Sequence, residues 1–315
     1  MDLFRLPSAL ENSRRILVAG AGGGYDIYAG LPIYQRLRTL GKEVFLASLS
    51  STNLAGTNAQ VLTRALYAVD PTTTGENSFF PERMLIQFLS RRNESIKTIY
   101  AFEKLGAAPI REAYKQLNQL LDLDAIVLID GGVDILLRGD EAGLGTPAED
   151  MTSLAAVAAL DIPTRMVMCV GFGVDTYHGV SHANWLENVA ALTAEGAYLG
   201  ATALLSQMPE VQFYLDAINA ASQSTLGEGS IVNGSIVSAI EGRFGDYHRG
   251  SRTQNSKMFI SPLMSLLWAF DLPAIAARNL YLSQLSKTES LWEVELAIER
   301  FHESVTCRPR QAIPH

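Results

Sequence analysis

The chain has 315 residues, of which 48% are hydrophobic and 18% charged, and its formal net charge is −8 at neutral pH. This composition is typical of a globular protein with enough apolar material for a large core. The acidic balance, 25 basic against 33 acidic residues, argues against a nucleic acid or an anionic membrane as partner. Both of those partners require a basic surface.

Cysteine usage and the N-terminal segment predict a cytoplasmic protein. Cys169 lies in the apolar run 166–170, which predicts a buried side chain, and Cys307 is the only other cysteine. Two cysteines cannot form a disulfide framework in a chain of this length. The N-terminal segment is not apolar enough for a secretion signal, and no run reaches the roughly 18 apolar residues of a membrane span.

The apolar segments of the first 200 residues predict a parallel, doubly wound α/β sheet. Short β-branched runs that end in turn residues are typical of buried strands. Such runs occupy 15–21, 43–49, 124–130 and 165–170, with a weaker one at 95–102. Helical patterns follow at 27–40, 110–121, 148–160 and 182–195. This alternation indicates parallel strands with right-handed crossovers, and we place the core of the fold at about residues 12–200.

The rest of the chain is predicted to be mostly helical. Helices are expected at 204–221, 231–241, 262–280 and 290–301, with one candidate strand at 257–260. Residues 51–90 form a long excursion, interpreted as a lid with one helix at 81–89. We expect a single domain over residues 1–315, in which a helical C-terminal extension, residues 201–315, packs on the same sheet.

Glycines and aspartates gather where three predicted strands end. The first strand runs into residues 20–26, the third into 131–134 and the fourth into 171–175. In open parallel sheets, ligands bind beyond the carboxyl ends of the strands, near the point where the strand order reverses. The three loops therefore predict one functional site at one edge of the sheet.

The first of these loops is a candidate phosphate site. Glycines let backbone N–H groups approach an anion, and the N-terminus of the following helix adds its positive dipole. The dinucleotide motif G-x-G-x-x-G is not met, because Tyr25 occupies the third glycine position. A tight turn without a ligand is the alternative. The ligand-binding residues assigned here are Gly20, Gly22, Gly23, Gly24 and Asp26.

The second loop is rich in carboxylates. Clustered carboxylates repel one another, so that one of them can have a raised pKa and act as an acid or a base. They also suit Mg²⁺ or ribose hydroxyls. We assign Asp130 and Asp134 to catalysis; the ligand-binding residues assigned here are Gly131, Gly132, Arg138 and Glu141. The alternative is an ion pair between Asp134 and Arg138, with Glu141 as a solvated turn residue.

The helix after this loop begins near Thr146. Thr146 is predicted to cap that helix, with Glu149 at the capping-box position. Asp150 stays unassigned, since it could face either the site or the solvent.

The third loop adds Asp175 and His178, which we assign to catalysis as acid–base or substrate-contact residues. Gly171 and Gly173 are assigned to ligand binding. A metal site on His178 and His182 is disfavoured because the glycine between them interrupts a helix. Surface histidines are the alternative, and no residue is assigned as a metal ligand.

These motifs together resemble the domain family of unknown function numbered 1152. Val18–Asp26 is similar to the family's opening strand and glycine-rich loop. Asp130–Leu136, with 139–147, resembles its central block, and Gly171–Asp175 resembles a later turn. Thr176-Tyr-His178 stands where the family has an acidic residue. The resemblance covers most of the chain and implies a Rossmann-like fold, but it implies little about the reaction.

The residue set favours an enzyme acting on a nucleotide or phosphorylated sugar, by hydrolysis or group transfer at a ribosyl-type centre. Carboxylates can stabilise an oxocarbenium-like centre and activate water. The alternative is a non-catalytic nucleotide sensor or subunit that signals to a partner protein, and a third hypothesis is a metal-dependent enzyme. The sequence leaves the cofactor open between an NAD-like nucleotide and Mg²⁺, and it also leaves a homo-oligomer open.

Overall fold

The computed structural model describes residues 4–75, 79–224 and 229–313. Within them, one nine-stranded sheet consists of β1 (Arg15–Gly23), β2 (Glu43–Leu49), β3 (Gln60–Thr63), β4 (Leu66–Val69), β5 (Ile99–Phe102), β6 (Ala125–Asp130), β7 (Thr164–Cys169), β8 (Tyr198–Ala203) and β11 (Leu266–Asp271). A separate two-stranded sheet consists of β9 (Gly245–Asp246) and β10 (Phe259–Ile260).

Helices cover both faces of the large sheet and bury two apolar cores against it. They are α1 (Asp26–Ala29), α2 (Leu31–Thr39), α3 (Pro81–Arg91), α4 (Ala107–Leu121), α5 (Ala148–Ala158), α6 (His182–Ala194), α7 (Pro209–Ser224), α8 (Ile231–Ile240), α9 (Leu272–Arg278), α10 (Leu282–Leu285) and α11 (Leu291–Ser304). Within the described residues, no helix is both long enough and apolar enough to cross a membrane.

The strand order is β3-β4-β5-β2-β1-β6-β7-β11-β8. The five central strands, β5 to β7 in this order, pair in parallel, whereas both flanks pair antiparallel. From β1 the chain moves outward through β2 to β5 and then returns to the other side of β1 as β6 and β7. The order therefore reverses between β1 and β6, where Rossmann-like sheets bind ligands. The predicted fold class, an α/β protein with a Rossmann-like, mostly parallel sheet, is confirmed.

The predicted helix 27–40 is divided at Gly30 into α1 and α2. A Cβ at Gly30 would lie 2.7 Å from Val18 Cγ1 and 3.0 Å from Ile129 Cγ1. Glycine thus lets this helical segment pack closely on β1 and β6, which holds the first residues of α1 directly above the point where the strand order reverses.

The prediction of a helix over 262–280 is wrong. Leu266–Asp271 is β11, which lies between β7 and β8 and is antiparallel to both. A short run that is apolar throughout cannot be assigned to helix or strand by its period. The expectation that strands largely stop after residue 200 therefore fails, because β11 completes the sheet; α9 begins only at Leu272.

Residues 51–90 contain more strand than the sequence predicts. β3 and β4 form a hairpin that extends the sheet beyond β5, and α3 is the expected helix. Residues 76–78 of this excursion lie outside the described residues. Its action as a lid stays a prediction.

Candidate functional site

Five carboxylates gather where the strand order reverses, and we call them the aspartate cluster. Four are buried, with exposed fractions of 3% for Asp130, 3% for Asp134, 5% for Asp150 and 7% for Asp175, while Asp26 is partly exposed. Asp26 begins α1 after β1, and Asp130 ends β6. Asp134 and Asp175 lie in the 3-10 turns after β6 and β7, and Asp150 lies in the first turn of α5. The structure thus brings together all four aspartates that the sequence assigned to the site and adds Asp150.

Three members approach one another most closely, and we call them the aspartate triad: Asp26, Asp130 and Asp150. Each places one carboxylate oxygen within 4.8 Å of the oxygens of the other two. Glycine at position 22 permits this spacing, because a side chain there would collide with two of the carboxylates. Its Cβ would lie 2.7 Å from Asp26 Oδ2 and 3.0 Å from Asp150 Oδ1. A Cβ at Gly131 would lie 2.6 Å from Asp26 Oδ1.

Asp175 joins the cluster beside Gly132. A Cβ at Gly132 would lie 2.9 Å from Asp175 Oδ2 and 3.0 Å from Asp130 Oδ1. Gly171 and Gly173 have φ values of 95° and 97°, in the left-handed region that favours glycine, and they shape the turn that carries Asp175. Three of the glycines assigned from the sequence, Gly22, Gly131 and Gly132, therefore leave room for the carboxylates of the cluster.

Backbone N–H groups orient four of the five carboxylates. Gly22 N donates to Asp26 Oδ2 at 2.8 Å. The other donors follow the same pattern: Thr146 N to Asp134 Oδ2 at 2.7 Å, Val133 N to Asp175 Oδ2 at 2.7 Å, and Ile135 N to Asp130 Oδ2 at 3.3 Å. Asp150 differs, because its Oδ1 is buried without any hydrogen-bond partner.

Among the described residues, the cluster has no lysine or arginine as an ion-pair partner for any of its five aspartates. Burial raises the pKa of Asp26 to about 7, and the charges of Glu149 and Asp134 add to the shift. Burial, followed by neighbouring carboxylates, raises the pKa of Asp130, Asp150 and Asp175 well above the usual value.

Asp134 is the member of the cluster that has a histidine beside it. Burial raises the pKa of Asp134, but the N–H of Thr146 and the charge of His178 oppose the shift. The His178 side chain is exposed at the end of the 3-10 turn that holds Asp175. His178 therefore lies at the solvent side of the cluster, next to one of its carboxylates.

A basic group lies beside the glycine-rich loop. A Cβ at Gly23 would come closest to Glu149 Oε2, followed by Lys104 Nζ at 2.7 Å and Ser51 Oγ at 2.8 Å. Lys104 and Glu149 form an ion pair with each other. Ser51 Oγ also lies 3.5 Å from the position of a Cβ at Gly24. This corner of the site thus offers one hydroxyl and one cation, the latter paired with Glu149, beside the glycines.

The predicted capping box at the start of α5 is wrong. The residue that precedes α5 is Pro147, and no side chain caps the helix. The N–H of Thr146 donates to Asp134, and Glu149 pairs with Lys104, so both residues serve the site rather than the helix end. The sequence analysis missed Lys104 and Ser51. Their positions carried the available signal. Lys104 follows β5 and Ser51 follows β2, and both strands end at the same edge of the sheet.

Glu141 and Arg138, assigned to ligand binding, make other contacts in the structure. Both oxygens of the buried Glu141 are occupied: Oε2 accepts from Gly139 N at 2.8 Å, and Oε1 accepts from Asn188 Nδ2 at 2.8 Å. Arg308 Nη2 also donates to Glu141 Oε1, at 3.0 Å. Arg138 pairs with Asp140 at 3.4 Å rather than with Asp134. A ligand-binding role for these two residues stays a prediction.

Fold and site together define a Rossmann-like α/β protein with an unpaired carboxylate cluster where its strand order reverses. The chain belongs to the family described as protein of unknown function DUF1152, whose model matches residues 49–304. The resemblance found in the sequence is thereby confirmed, and the matched segment includes every aspartate of the cluster except Asp26. Comparison with curated proteins and with solved structures gives no match.

Proposed function

We propose that this protein is an enzyme that acts on a nucleotide or a phosphorylated sugar, by hydrolysis or group transfer at a ribosyl-type centre. The aspartate cluster is the observation that supports this proposal. Burying several carboxylates without counter-charges is costly for the stability of the fold. Buried, mutually repelling acids with raised pKa values are typical of sites where these groups act on a ligand.

Asp134 and Asp175 are the proposed acid–base pair. Each has one oxygen held by a backbone N–H, which orients the carboxyl group. In hydrolysis, one carboxylate takes a proton from water while the water oxygen bonds to the anomeric carbon. The bond to the leaving group breaks, and the other, protonated carboxyl group gives its proton to that group. His178 completes the solvent side of the site.

The corner with Lys104 and Ser51 is the proposed phosphate position. A phosphate placed against the aspartates alone would be repelled, whereas Lys104 supplies a positive charge and Ser51 a hydroxyl beside Gly23 and Gly24. Lys104 pairs with Glu149 in this structure, so a phosphate would compete with Glu149 for it. The phosphate would therefore lie beside Gly23 and Gly24, with the sugar towards the aspartate cluster. This arrangement favours a substrate that carries both a phosphate and a sugar.

The experiment is an activity screen with nucleotides and sugar phosphates, including NAD and ADP-ribose, in buffer with Mg²⁺. Products are followed by mass spectrometry and binding by thermal shift. We expect a new product from at least one substrate, and a loss of about 100-fold or more in kcat for Asp134→Asn and for Asp175→Asn.

Asp161→Asn is the matched control, because Asp161 is an exposed aspartate just before β7, at the opposite edge of the sheet. It should retain wild-type activity. A ligand that shifts the melting temperature and is recovered unchanged would contradict the enzyme and favour the sensing subunit. Wild-type rates in both Asp134→Asn and Asp175→Asn would overturn the assigned roles.

A further inference from the structure

We infer that the aspartate triad binds one hard divalent cation, of the Mg²⁺ or Mn²⁺ type. This inference goes beyond the proposed function, since such an ion would serve an enzyme and a nucleotide sensor alike. It rests on three observations: the spacing of the three carboxylates, an unpartnered oxygen on one of them, and the charge and ligand type of the site.

The spacing fits a single ion. From the usual bond lengths, oxygens bound to one Mg²⁺ lie about 3.0 Å apart when adjacent and about 4.2 Å apart when opposite, and those bound to one Ca²⁺ lie about 3.3–5.2 Å apart. The oxygens of Asp26, Asp130 and Asp150 lie within 4.8 Å of one another. One ion can therefore contact all three with small side-chain adjustments. Asp26 is partly exposed, which leaves a route to solvent for the ion and its waters.

The unpartnered oxygen belongs to Asp150. Its Oδ1 is buried without a hydrogen bond and faces the same small space beside Gly22 as Asp26 Oδ2 does. The other members of the cluster receive backbone N–H donors, whereas no donor among the described residues reaches Asp150 Oδ1. A buried polar group without a partner is costly, and a cation would supply the missing partner.

Charge and ligand type select the class of ion. All the triad ligands are carboxylate oxygens, which suit hard cations such as Mg²⁺, Mn²⁺ and Ca²⁺ better than Zn²⁺ or Cu²⁺. A charge of +2 also offsets the repulsion in a cluster that has no lysine or arginine partner among the described residues. Water molecules, and the phosphate of a bound substrate, would fill the remaining coordination positions.

The test uses the full chain after removal of metals with EDTA. Mn²⁺ binding is measured from the loss of the free-ion signal in electron paramagnetic resonance, and Mg²⁺ and Ca²⁺ by calorimetry and by competition with Mn²⁺. We expect one Mn²⁺ per chain, displaced by Mg²⁺, with a rise in melting temperature of about 5 °C at saturation. No substrate is present, so the result is independent of whether turnover is found.

Asp150→Asn is the decisive variant. It should weaken Mn²⁺ binding by about 100-fold, because one of three ligands is lost. Since Asp150 Oδ1 has no hydrogen-bond partner among the described residues, this variant should melt at or above the wild-type temperature in EDTA and gain little from Mn²⁺. Asp26→Asn, at a partly exposed position, provides a second ligand variant with the same expected loss of binding.

Asp175→Asn is the matched control, since it removes the same charge from the same cluster without removing a triad ligand. It should weaken Mn²⁺ binding about tenfold less than Asp150→Asn does. Equal losses in the two variants would show that the cluster attracts ions only by its overall charge, which overturns the proposed site. Wild-type protein that leaves the Mn²⁺ signal unchanged up to about 1 mM would overturn it as well.

Discussion

The glycines of the site determine how closely its carboxylates approach one another, and Gly132 shows this most clearly. A Cβ there would lie 2.9 Å from Asp175 Oδ2 and 3.0 Å from Asp130 Oδ1, so one of these carboxylates must move in Gly132→Ala. We expect a loss of about 1–3 kcal/mol in the free energy of unfolding and at least about tenfold in kcat. Urea denaturation and the activity assay measure the two effects.

Gly250→Ala is the control for this change. Gly250 has extended backbone with φ at −139°, and a Cβ there meets nothing within 4 Å. Alanine at this position should be close to neutral for both measurements. If Gly132→Ala were as stable and as active as Gly250→Ala, the close contact of Gly132 with the two carboxylates would be contradicted.

Lys104 allows the proposed phosphate position to be tested separately from the aspartates. Lys104→Gln removes the positive charge beside Gly23 and Ser51. We expect KM for a phosphorylated substrate to rise about tenfold with little change in kcat, because binding is lost equally in the ground and transition states. The KM for the matching substrate without the phosphate should stay unchanged. Lys115→Gln, on the exposed side of α4, is the control and should alter neither constant.

At the scale of elements, strands buried on both faces could be predicted from the sequence. β1, β2, β6 and β7 are continuous apolar runs, which is what a central parallel strand requires. β11 could not be predicted, because its apolar run at Leu266–Phe270 fits a buried helix equally well. The hairpin of β3 and β4 was missed because its strands have only four residues each.

The parts of the site that could be predicted are the residues that follow strand ends, whereas a residue placed by helix packing could not be predicted. Asp26, Asp130, Asp134 and Asp175 follow strand ends, so the topology of a parallel sheet alone brings them together. Asp150 reaches them only because α5 packs on β1, where Ser153 Oγ donates to Ala21 O at 2.6 Å. Contacts of this kind depend on tertiary packing, for which a local sequence pattern carries no signal.

The segment after α11 is held to the loop after β6 by Arg308. Its guanidinium pairs with Asp140 at 2.8 Å and with the buried Glu141 at 3.0 Å, and it also pairs with Glu187. Arg308→Ala leaves Glu141 with an incomplete set of donors. We expect the free energy of unfolding to fall by about 2–3 kcal/mol, measured by urea denaturation, because removing one partner of a buried pair is costly.

Arg64→Ala is the matched control for Arg308. Arg64 pairs with Glu289 at 3.6 Å, but both side chains are more than half exposed. Exposed pairs contribute between about 0 and 1 kcal/mol, so this variant should be nearly neutral. Equal effects of the two variants would show that Arg308 is only a surface charge.

For the whole molecule, the cluster makes the stability of the metal-free protein depend on pH. A carboxyl group such as Asp26 ionises near its ordinary pKa of 3.8 in the unfolded chain, whereas burial raises its pKa in the folded protein to about 7. Well below pH 3.8 the group is protonated in both states. Between these two values the folded protein binds more protons than the unfolded chain, so the free energy of unfolding falls as the pH rises.

We therefore expect the wild-type protein in EDTA to lose stability between pH 5 and pH 8, with Asp26 contributing on the order of 2–4 kcal/mol. The lowered pKa of His182, caused by burial, acts in the opposite direction, because that group favours the folded state as the pH rises. Asp26→Asn keeps His182 and removes the titrating carboxyl group. Urea denaturation at each pH should then show a shallower decline in the variant, whereas a wild-type stability that rises over this range would contradict the buried acidic cluster.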